Sequence, residues 1–242
     1  MTAIDERPAP HLRTDQPSAG DRFVAIGLLL VAAAFLGMQI LHGEVIPPVA
    51  IPMALYITAG TILLRHRPKW LPVAAVTLAV LHLAASIQFL VPALSHPESP
   101  ASFIPEALAV ILVAMLAGGI AVPSMQRMLA WGAGALAVAA LTVSLGAAAM
   151  VETDGRRAGD VTVEAARTQF PALVEAPAGG AVIRVDNQDP FRHTFVVDGT
   201  DVHTELPGST AVRVEADLAP GTYRFFCDVP GHERMEGELV VR

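Results

Sequence analysis

The sequence predicts an α-helical membrane domain of five transmembrane helices, followed by an all-β antiparallel sandwich. Composition gives the first indication, because 53% of the 242 residues are hydrophobic and only 16% are charged, whereas a soluble domain has about a quarter charged. Residues 1–150 contain 7 Lys/Arg and 7 Asp/Glu, while residues 151–242 contain 9 and 16 and so account for the net charge of −7. An apolar domain therefore precedes an acidic one, and no part is basic enough to predict nucleic-acid binding.

Five apolar segments are long enough to cross a hydrocarbon core of about 30 Å as helices. Glu106 is their only Lys, Arg, Asp or Glu, and the prolines of the second segment lie near its start, where a helix tolerates them. A polar leader, residues 1–22, is predicted to be disordered. The first apolar segment begins only after this leader and is about 20 residues long, which exceeds the usual hydrophobic region of a cleavable signal peptide. The predicted spans of the membrane domain, residues 23–150, are 23–42, 46–64, 70–91, 104–122 and 128–150.

The charges of the connecting loops predict the orientation. The leader contains three arginines, the loop after the second span contains Arg65, Arg67 and Lys69, and the loop after the fourth contains Arg127. The other two loops contain no Lys or Arg, so the N-terminus is predicted to be cytoplasmic. Five spans then place the C-terminal domain outside the cytoplasmic membrane, although an Arg pair at residues 156–157 opposes this orientation.

The pattern changes after a polar segment, residues 151–159, which is interpreted as a linker. Short alternating or β-branched segments follow, separated by Gly, Pro and Asp, as is typical of an antiparallel sandwich or barrel. The 83 residues of 160–242 can just bury a core without disulfides. The predicted strands are 161–164, 181–185, 193–197, 211–214, 222–226 and 238–241.

The strongest chemical signal lies near the C-terminus. Cys227 is the only cysteine in the chain and so cannot form an intramolecular disulfide. His232 and Met235 follow it closely, and His193 lies 34 residues before it. One thiolate, two imidazoles and one thioether form the donor set of a trigonal copper site with a weak axial methionine. This pattern predicts one copper ion that alternates between Cu(I) and Cu(II).

With these motifs, residues 160–242 resemble the cupredoxins, the blue-copper family of plastocyanin, amicyanin and azurin. The matching segments are 185–187, 193–195, 220–223 and 227–239, the last of which includes Met235-Glu236-Gly237-Glu238-Leu239. The resemblance implies a Greek-key sandwich holding one type 1 copper, with His193, Cys227, His232 and Met235 as its ligands. Four residues separate the cysteine from the second histidine, as in azurin, and two separate that histidine from the methionine, as in amicyanin.

Each candidate ligand also has a plain structural interpretation. Cys227 alone is consistent with a small buried hydrophobe, His232 with a surface loop residue, and Met235 with a core filler. His203 competes with His193 but lies between acidic residues, and it is interpreted as a solvated strand residue. Asn187 is expected to hydrogen-bond the ligand loop and so help to orient the donors.

Polar residues in the apolar half form a second group of candidates. His82 and Gln88 lie within the third predicted span, where polar groups suggest a function, although hydrogen bonding between helices is the favoured interpretation. Five further residues are predicted to cluster at the outer ends of the spans, where a copper or proton entry is the alternative to ordinary interfacial residues. They are His42, Glu44, His96, Glu98 and Glu106.

The predicted function is one-electron transfer without catalysis, at the outer face of the cytoplasmic membrane. A binuclear copper centre needs two cysteines, and a copper oxidase or nitrite reductase needs histidines for a second copper. The apolar turn around His232 is expected to expose its edge as the electron port. The acidic domain predicts a redox protein partner with a basic docking face. Copper uptake, delivery or tolerance is the main alternative, and a metal-free interaction domain is a third.

Overall fold

The computed structural model describes residues 17–242 except residues 44 and 67. Most of the predicted leader, together with Glu44 and Arg67, therefore lies outside the described residues. The predicted fold class is confirmed, because a helical N-terminal region with several long apolar helices precedes a β-sandwich. The helices are α1 (Ala19–His42), α2 (Pro47–Arg65), α3 (Leu71–Ala85), α4 (Ile87–Ser95), α5 (Pro100–Ala121) and α6 (Gln126–Ala149).

The first helix begins four residues earlier than the first predicted span. The Ser18 side chain accepts a hydrogen bond from the Asp21 N–H, and the Asp21 carboxylate accepts one from the Ser18 N–H. This reciprocal capping box satisfies N–H groups that the first turn otherwise leaves unpaired. The helix ends at Gly43 in the left-handed conformation, which glycine adopts without a Cβ clash. Local capping chemistry therefore sets both ends of α1.

The third predicted span, residues 70–91, is not one straight helix. It corresponds to α3 and α4, which meet at Ser86 with a bend of 71°. In the described part of the chain, four helices are long and apolar enough to cross a membrane, or five if this bent pair counts as one span. A hydropathy pattern does not reveal a bend when the segments on both sides of it are equally apolar. The expectation of one straight helix over residues 70–91 was therefore wrong.

All six predicted strands are present, and two further short strands are added. The eight are β1 (Val161–Ala165), β2 (Leu173–Ala176), β3 (Ala181–Asn187), β4 (His193–Val197), β5 (His203–Leu206), β6 (Ala211–Ala216), β7 (Gly221–Phe226) and β8 (Glu236–Val241). One sheet has the order β1-β3-β6 and the other β2-β8-β7-β4-β5. The aromatic rings of Phe170, Phe195 and Phe225 meet in the core between them.

The sandwich is not entirely antiparallel, in contrast to the prediction from the sequence. The pairs β1–β3 and β2–β8 are parallel, and all other pairs are antiparallel. The chain crosses to the second sheet for β2 before it returns for β3, and such a crossover brings two strands of one sheet into the same direction. The periodicity of a strand carries no information about which neighbour it joins.

The segment after α6 packs on the sandwich. The Asp154 N–H donates to the Ala211 carbonyl (2.8 Å), and the Asp154 carboxylate accepts from the Arg213 N–H (2.9 Å). The Arg213 guanidinium also forms a two-pronged pair with Asp160 (2.7 and 3.1 Å). Residues 154–160 thus contact the edge strand β6, and the predicted linker has specific contacts with the domain that follows it.

Candidate metal centre

Sheet register brings the distant donors together. His193 is the first residue of β4, and Cys227 directly follows β7, which is the antiparallel neighbour of β4. The pairing of Val196 with Phe226 places the cysteine beside the start of β4. His232 lies in the loop between β7 and β8. Two donors therefore stand at neighbouring strand ends, and the third is carried on the loop beside them.

Backbone hydrogen bonds close the loop that carries His232. The Cys227 N–H donates to the Met235 carbonyl (2.9 Å), the Met235 N–H to the His232 carbonyl (2.8 Å), and the His232 N–H to the Val229 carbonyl (3.0 Å). Gly231 has φ +93°, a conformation in which a side chain would be strained. The loop is therefore held in one conformation by its own main chain.

The three donor atoms form a compact triangle. The Nδ1 atoms of His193 and His232 lie 3.1 Å apart, and Cys227 Sγ lies 3.9 and 3.6 Å from them, respectively. A metal about 2.0 Å from nitrogen and about 2.3 Å from sulfur in a trigonal plane separates the nitrogens by about 3.5 Å and each nitrogen from sulfur by about 3.7 Å. The triangle therefore matches the size of a trigonal site, and its donor types fit copper.

Asp189 orients His193, a contact that the sequence analysis missed. The buried Nε2–H of His193 donates to the Asp189 carboxylate (2.9 Å), and this leaves Nδ1 with a lone pair for a metal. The N–H groups of Arg167 and Thr168 also donate to the carboxylate, at 2.7 and 2.9 Å. Both of these residues have positive φ, 55° and 56°. The only sequence signal was an Asp four residues before the histidine.

The site favours neutral imidazoles. Burial lowers the pKa of His193, and burial together with the nearby His193 lowers the pKa of His232 to about 3. Burial raises the pKa of the Cys227 thiol, against the effect of the Thr194 N–H that points to its sulfur. Burial also works to raise the pKa of Asp189, but the hydrogen bonds that it accepts outweigh burial and lower the pKa. At neutral pH both nitrogens can bind a metal, and metal binding must displace the thiol proton.

Thr194 connects β4 to the cysteine and to the residue after it. Its N–H lies 3.4 Å from Cys227 Sγ and donates to the sulfur. Its hydroxyl oxygen lies 3.5 Å from the same sulfur but 2.7 Å from the Asp228 carboxylate. A hydroxyl has one proton, and the shorter contact assigns that proton to Asp228. Of the two Thr194 groups, it is therefore the main-chain N–H that donates a hydrogen bond to the sulfur.

The remaining candidates have distinct locations. Met235 is almost fully buried in the sandwich core, and its role as the axial ligand stays a prediction. The Asn187 amide donates to three carbonyls, those of Phe191, Leu206 and Pro207. In the described residues it makes no hydrogen bond to the ligand loop, so the expectation of such a contact was wrong. His203 is an exposed residue of β5, as interpreted from the sequence.

His232 is half-buried, and part of its surroundings belongs to the helical region. The ring of Phe191 lies between the two parts, 6.0 Å from the His232 ring and stacked at 4.1 Å on the ring of His42 at the end of α1. His42, His96 and Glu106 of the predicted polar cluster line a cavity together with His232. The expected electron port at His232 therefore borders the helical region, and its exposure to solvent is only partial.

Within the helical region, His82 has the role favoured from the sequence. Its Nδ1 lies 2.9 Å from the Tyr56 hydroxyl, which joins α3 to α2 by a hydrogen bond. The ring of Phe35 on α1 meets the His82 ring edge-on at 5.4 Å. His96 pairs with Glu98 (2.8 Å) near the end of α4. These polar side chains therefore form contacts within the helical region, at the end next to the sandwich.

The family comparison agrees with the site. The model of the cupredoxin-like domain family matches residues 134–241. The C-terminal domain is a cupredoxin domain. Cupredoxins bind copper, and His193, Cys227 and His232 of this domain form a group that can hold a metal ion.

Curated relatives extend this comparison. Cytochrome c oxidase subunit 2 of Thermus thermophilus is 32% identical over 76 residues, which are 30% of this chain and 56% of that protein. The same subunit from a designated strain of that species is also 32% identical over 76 residues, which are 45% of its length. The chain thus spans about half the length of the curated relatives it matches.

Similar solved structures include two copper proteins. The copper-containing nitrite reductase of Thermus scotoductus SA-01 has 25% identity and a TM-score of 0.31, covering 38% of this chain and 24% of that one. Amicyanin from Paracoccus versutus has 17% identity and a TM-score of 0.30, covering 36% of this chain and 85% of that one.

Proposed function

We propose that this protein is a membrane-anchored type 1 copper protein that transfers single electrons at the outer face of the cytoplasmic membrane, without being an enzyme. The observation that carries the proposal is the convergence of one thiol sulfur and two imidazole nitrogens within 4.8 Å of one another. This donor set serves both Cu(I) and Cu(II), and strand ends and a closed loop hold it in position. Met235 is proposed as the axial ligand that completes the site with His193, Cys227 and His232.

When bound, copper supplies a one-electron couple between Cu(I) and Cu(II). Asp189 holds the His193 ring and keeps the proton on Nε2, away from the metal side. The Thr194 N–H points to the Cys227 sulfur and stabilises its negative charge. The main-chain hydrogen bonds of the ligand loop keep the donors in place when the charge at the site changes by one electron. The chain thereby limits the rearrangement that accompanies each transfer.

The helical region is proposed to anchor this domain through five crossings of the lipid bilayer, with the bent pair α3–α4 as the third. Arg65 is the last residue of α2, Lys69 follows that helix, and Arg127 lies at the start of α6. The cupredoxin domain follows α6 at the opposite end of that helix. The positive-inside rule then assigns the basic end to the cytoplasm and the sandwich to the outside. Residues 1–22, 23–150, 151–159 and 160–242 are the proposed leader, membrane domain, linker and cupredoxin domain.

Copper uptake or delivery is a second candidate function, and the cavity beside the metal centre favours it. Met38, His42, His96 and Glu106 line this cavity next to His232, and such side chains could pass copper to the site. A delivery protein should release Cu(I) readily to a competing chelator. An electron carrier should retain copper in both oxidation states and cycle reversibly.

The first experiment is spectroscopy of the full chain, purified in detergent and loaded with Cu(II). We expect an intense visible thiolate-to-copper band and a small copper hyperfine splitting in electron paramagnetic resonance. Cys227→Ser should abolish both, and the matched control His203→Ala should preserve both, because His203 lies outside the donor triangle. A colourless protein, or one with only an ordinary tetragonal Cu(II) signal, would contradict the type 1 assignment.

A further inference from the structure

A cavity of about 290 Å³ lies between the metal centre and the helical region. Its floor consists of the ends of α1 and α3 and the starts of α2 and α4, with Glu106 of α5, and its roof is formed by Thr168 and by the ligand loop at Pro230–His232. Apolar side chains, among them Phe35, Leu83 and Phe89, form most of its wall. One copper-ligand candidate, His232, therefore borders a mainly apolar cavity at the end of the helices that lies next to the sandwich.

The wall of this cavity contains the break in the third span. Ser86, at the 71° bend between α3 and α4, is one of the lining residues. Non-helical backbone at membrane depth is tolerated where it is buried in protein or lines a cavity, and broken helices mark binding sites in other membrane proteins. The position of the break therefore points to a site built for a ligand.

Two polar groups in the lining are available to a ligand. The His42 Nδ1–H donates to the Met38 carbonyl (2.9 Å), so that Nε2 has a free lone pair. The Glu106 carboxyl group has no hydrogen-bond partner among residues 17–242 as the structure describes them. His82, which also lines the cavity, is already bonded to Tyr56. The cavity thus has a mainly apolar wall with two positions that can form hydrogen bonds to a ligand.

We propose that this cavity binds a lipid-soluble hydroquinone, whose electrons leave through His232; the inference rests on the proposed copper function. A hydroquinone has a flat apolar ring for the aromatic and aliphatic wall and two hydroxyls for His42 and Glu106. It also reaches the site through the bilayer. A metal ion is a poorer occupant, because the metal-binding geometry found among the described residues is that of His193, Cys227 and His232.

The chemistry balances with one-electron steps. Oxidation of one hydroquinone to the quinone breaks two O–H bonds and releases two electrons and two protons. With copper bound, the site would take these two electrons one at a time as Cu(II) is reduced to Cu(I), either in two molecules or at one site that the redox partner would reoxidise between the steps. The His42 imidazole and the Glu106 carboxylate each accept a proton and return it to the water outside.

The test is stopped-flow reduction of the copper-loaded full chain in lipid nanodiscs, with decylubiquinol as the reductant. Leu83 lines the cavity, whereas Leu81 on the same helix is 61% exposed on the outer surface of the helical region. We expect Leu83→Trp to fill the cavity and slow the saturable reduction by decylubiquinol at least tenfold, and Leu81→Trp to leave it unchanged. Reduction by ascorbate should be the same in all three proteins.

A second measurement separates the cavity from the copper site. Copper-free Cys227→Ser protein in anaerobic nanodiscs should still bind decylubiquinol saturably, and Leu83→Trp added to it should weaken that binding at least tenfold. If the ligand binds saturably but the wild-type protein shows no type 1 copper spectrum, the cavity proposal is supported and the copper function is rejected. Non-saturable uptake that Leu83→Trp does not change, as for general partition into lipid, would overturn the proposal.

Discussion

At the scale of single residues, the metal centre depends on groups that hold the donors as much as on the donors themselves. Asp189 accepts hydrogen bonds from one imidazole and from two main-chain N–H groups whose residues have positive φ. The backbone strain of Arg167 and Thr168 therefore serves to present N–H groups to one carboxylate. Asn187 in turn accepts from the Asp189 N–H (3.0 Å) and donates to the carbonyl of Phe191. The His193 ring is thus oriented by contacts that extend beyond the triangle.

Replacement of Asp189 tests this support. Asp189→Asn removes the negative charge behind His193 and weakens the imidazole as a donor, which affects Cu(II) more than Cu(I). We expect affinity for Cu(II) to fall about 10–100-fold, as for other residues that support metal ligands. Each tenfold difference between the two oxidation states raises the reduction potential by about 59 mV. Spectroelectrochemistry of the full chain measures the potential.

The matched control for this change is Asp198→Asn, which removes a carboxylate from the exposed turn between β4 and β5. Its potential should equal that of the wild-type protein. An unchanged potential in Asp189→Asn would show that the carboxylate has only a structural role.

The two interpretations of Met235, as an axial ligand and as a core side chain, predict different effects of its replacement. Met235→Leu nearly conserves volume, so the free energy of unfolding of the copper-free domain should change by less than about 1.5 kcal/mol. If the thioether is an axial ligand, its loss removes a donor that tunes the potential, and we expect the potential to rise while the thiolate-to-copper band persists. A potential and a copper spectrum identical to those of the wild-type protein would assign Met235 to the core alone.

At the scale of elements, the features that could be predicted are those that depend on local sequence patterns. Apolar length identified the helical segments, and β-branched alternation identified six of the eight strands. The strands β2 and β5 were missed because Leu173–Ala176 and His203–Leu206 each contain only one β-branched residue and no Phe, Tyr or Trp. The bend at Ser86, the two parallel strand pairs and the Asp189 contact were missed for another reason. Each depends on a partner distant in the sequence or on a chain direction that periodicity does not encode.

The start of β8 depends on a glycine at a close approach between elements. A Cβ at Gly237 would overlap the Pro171 carbonyl and the Phe225 ring. We expect Gly237→Ala to lower the free energy of unfolding by about 1–3 kcal/mol, the usual cost of overpacking. Gly221→Ala, where the nearest heavy atom is 3.5 Å from the new Cβ, should change it by less than about 0.5 kcal/mol. Urea unfolding followed by fluorescence measures both, and equal effects would contradict the steric argument.

At the scale of the whole molecule, the two halves meet at the metal centre. The His42–Phe191 stack and the cavity lining join the ends of the helices to the ligand loop. With the proposed hydroquinone in the cavity, the five proposed spans have a use beyond anchoring, because electrons would enter from the membrane side. The redox protein partner must then approach a different surface of the sandwich. The acidic sandwich offers surface for that contact, since residues 151–242 carry the entire net charge of −7.

The salt dependence of electron transfer tests the proposed basic partner. Opposite charges steer encounter and raise association rates by about 10–10³-fold, and the Debye length shortens from about 30 Å at 0.01 M salt to about 8 Å at 0.15 M. In nanodiscs of uncharged lipid, oxidation of the reduced protein by a basic c-type cytochrome should therefore slow about tenfold or more over that range. Oxidation by the ferricyanide anion should accelerate, because screening relieves its repulsion from the acidic domain. Equal salt dependence for the two oxidants would show that the charge of this domain does not select the partner.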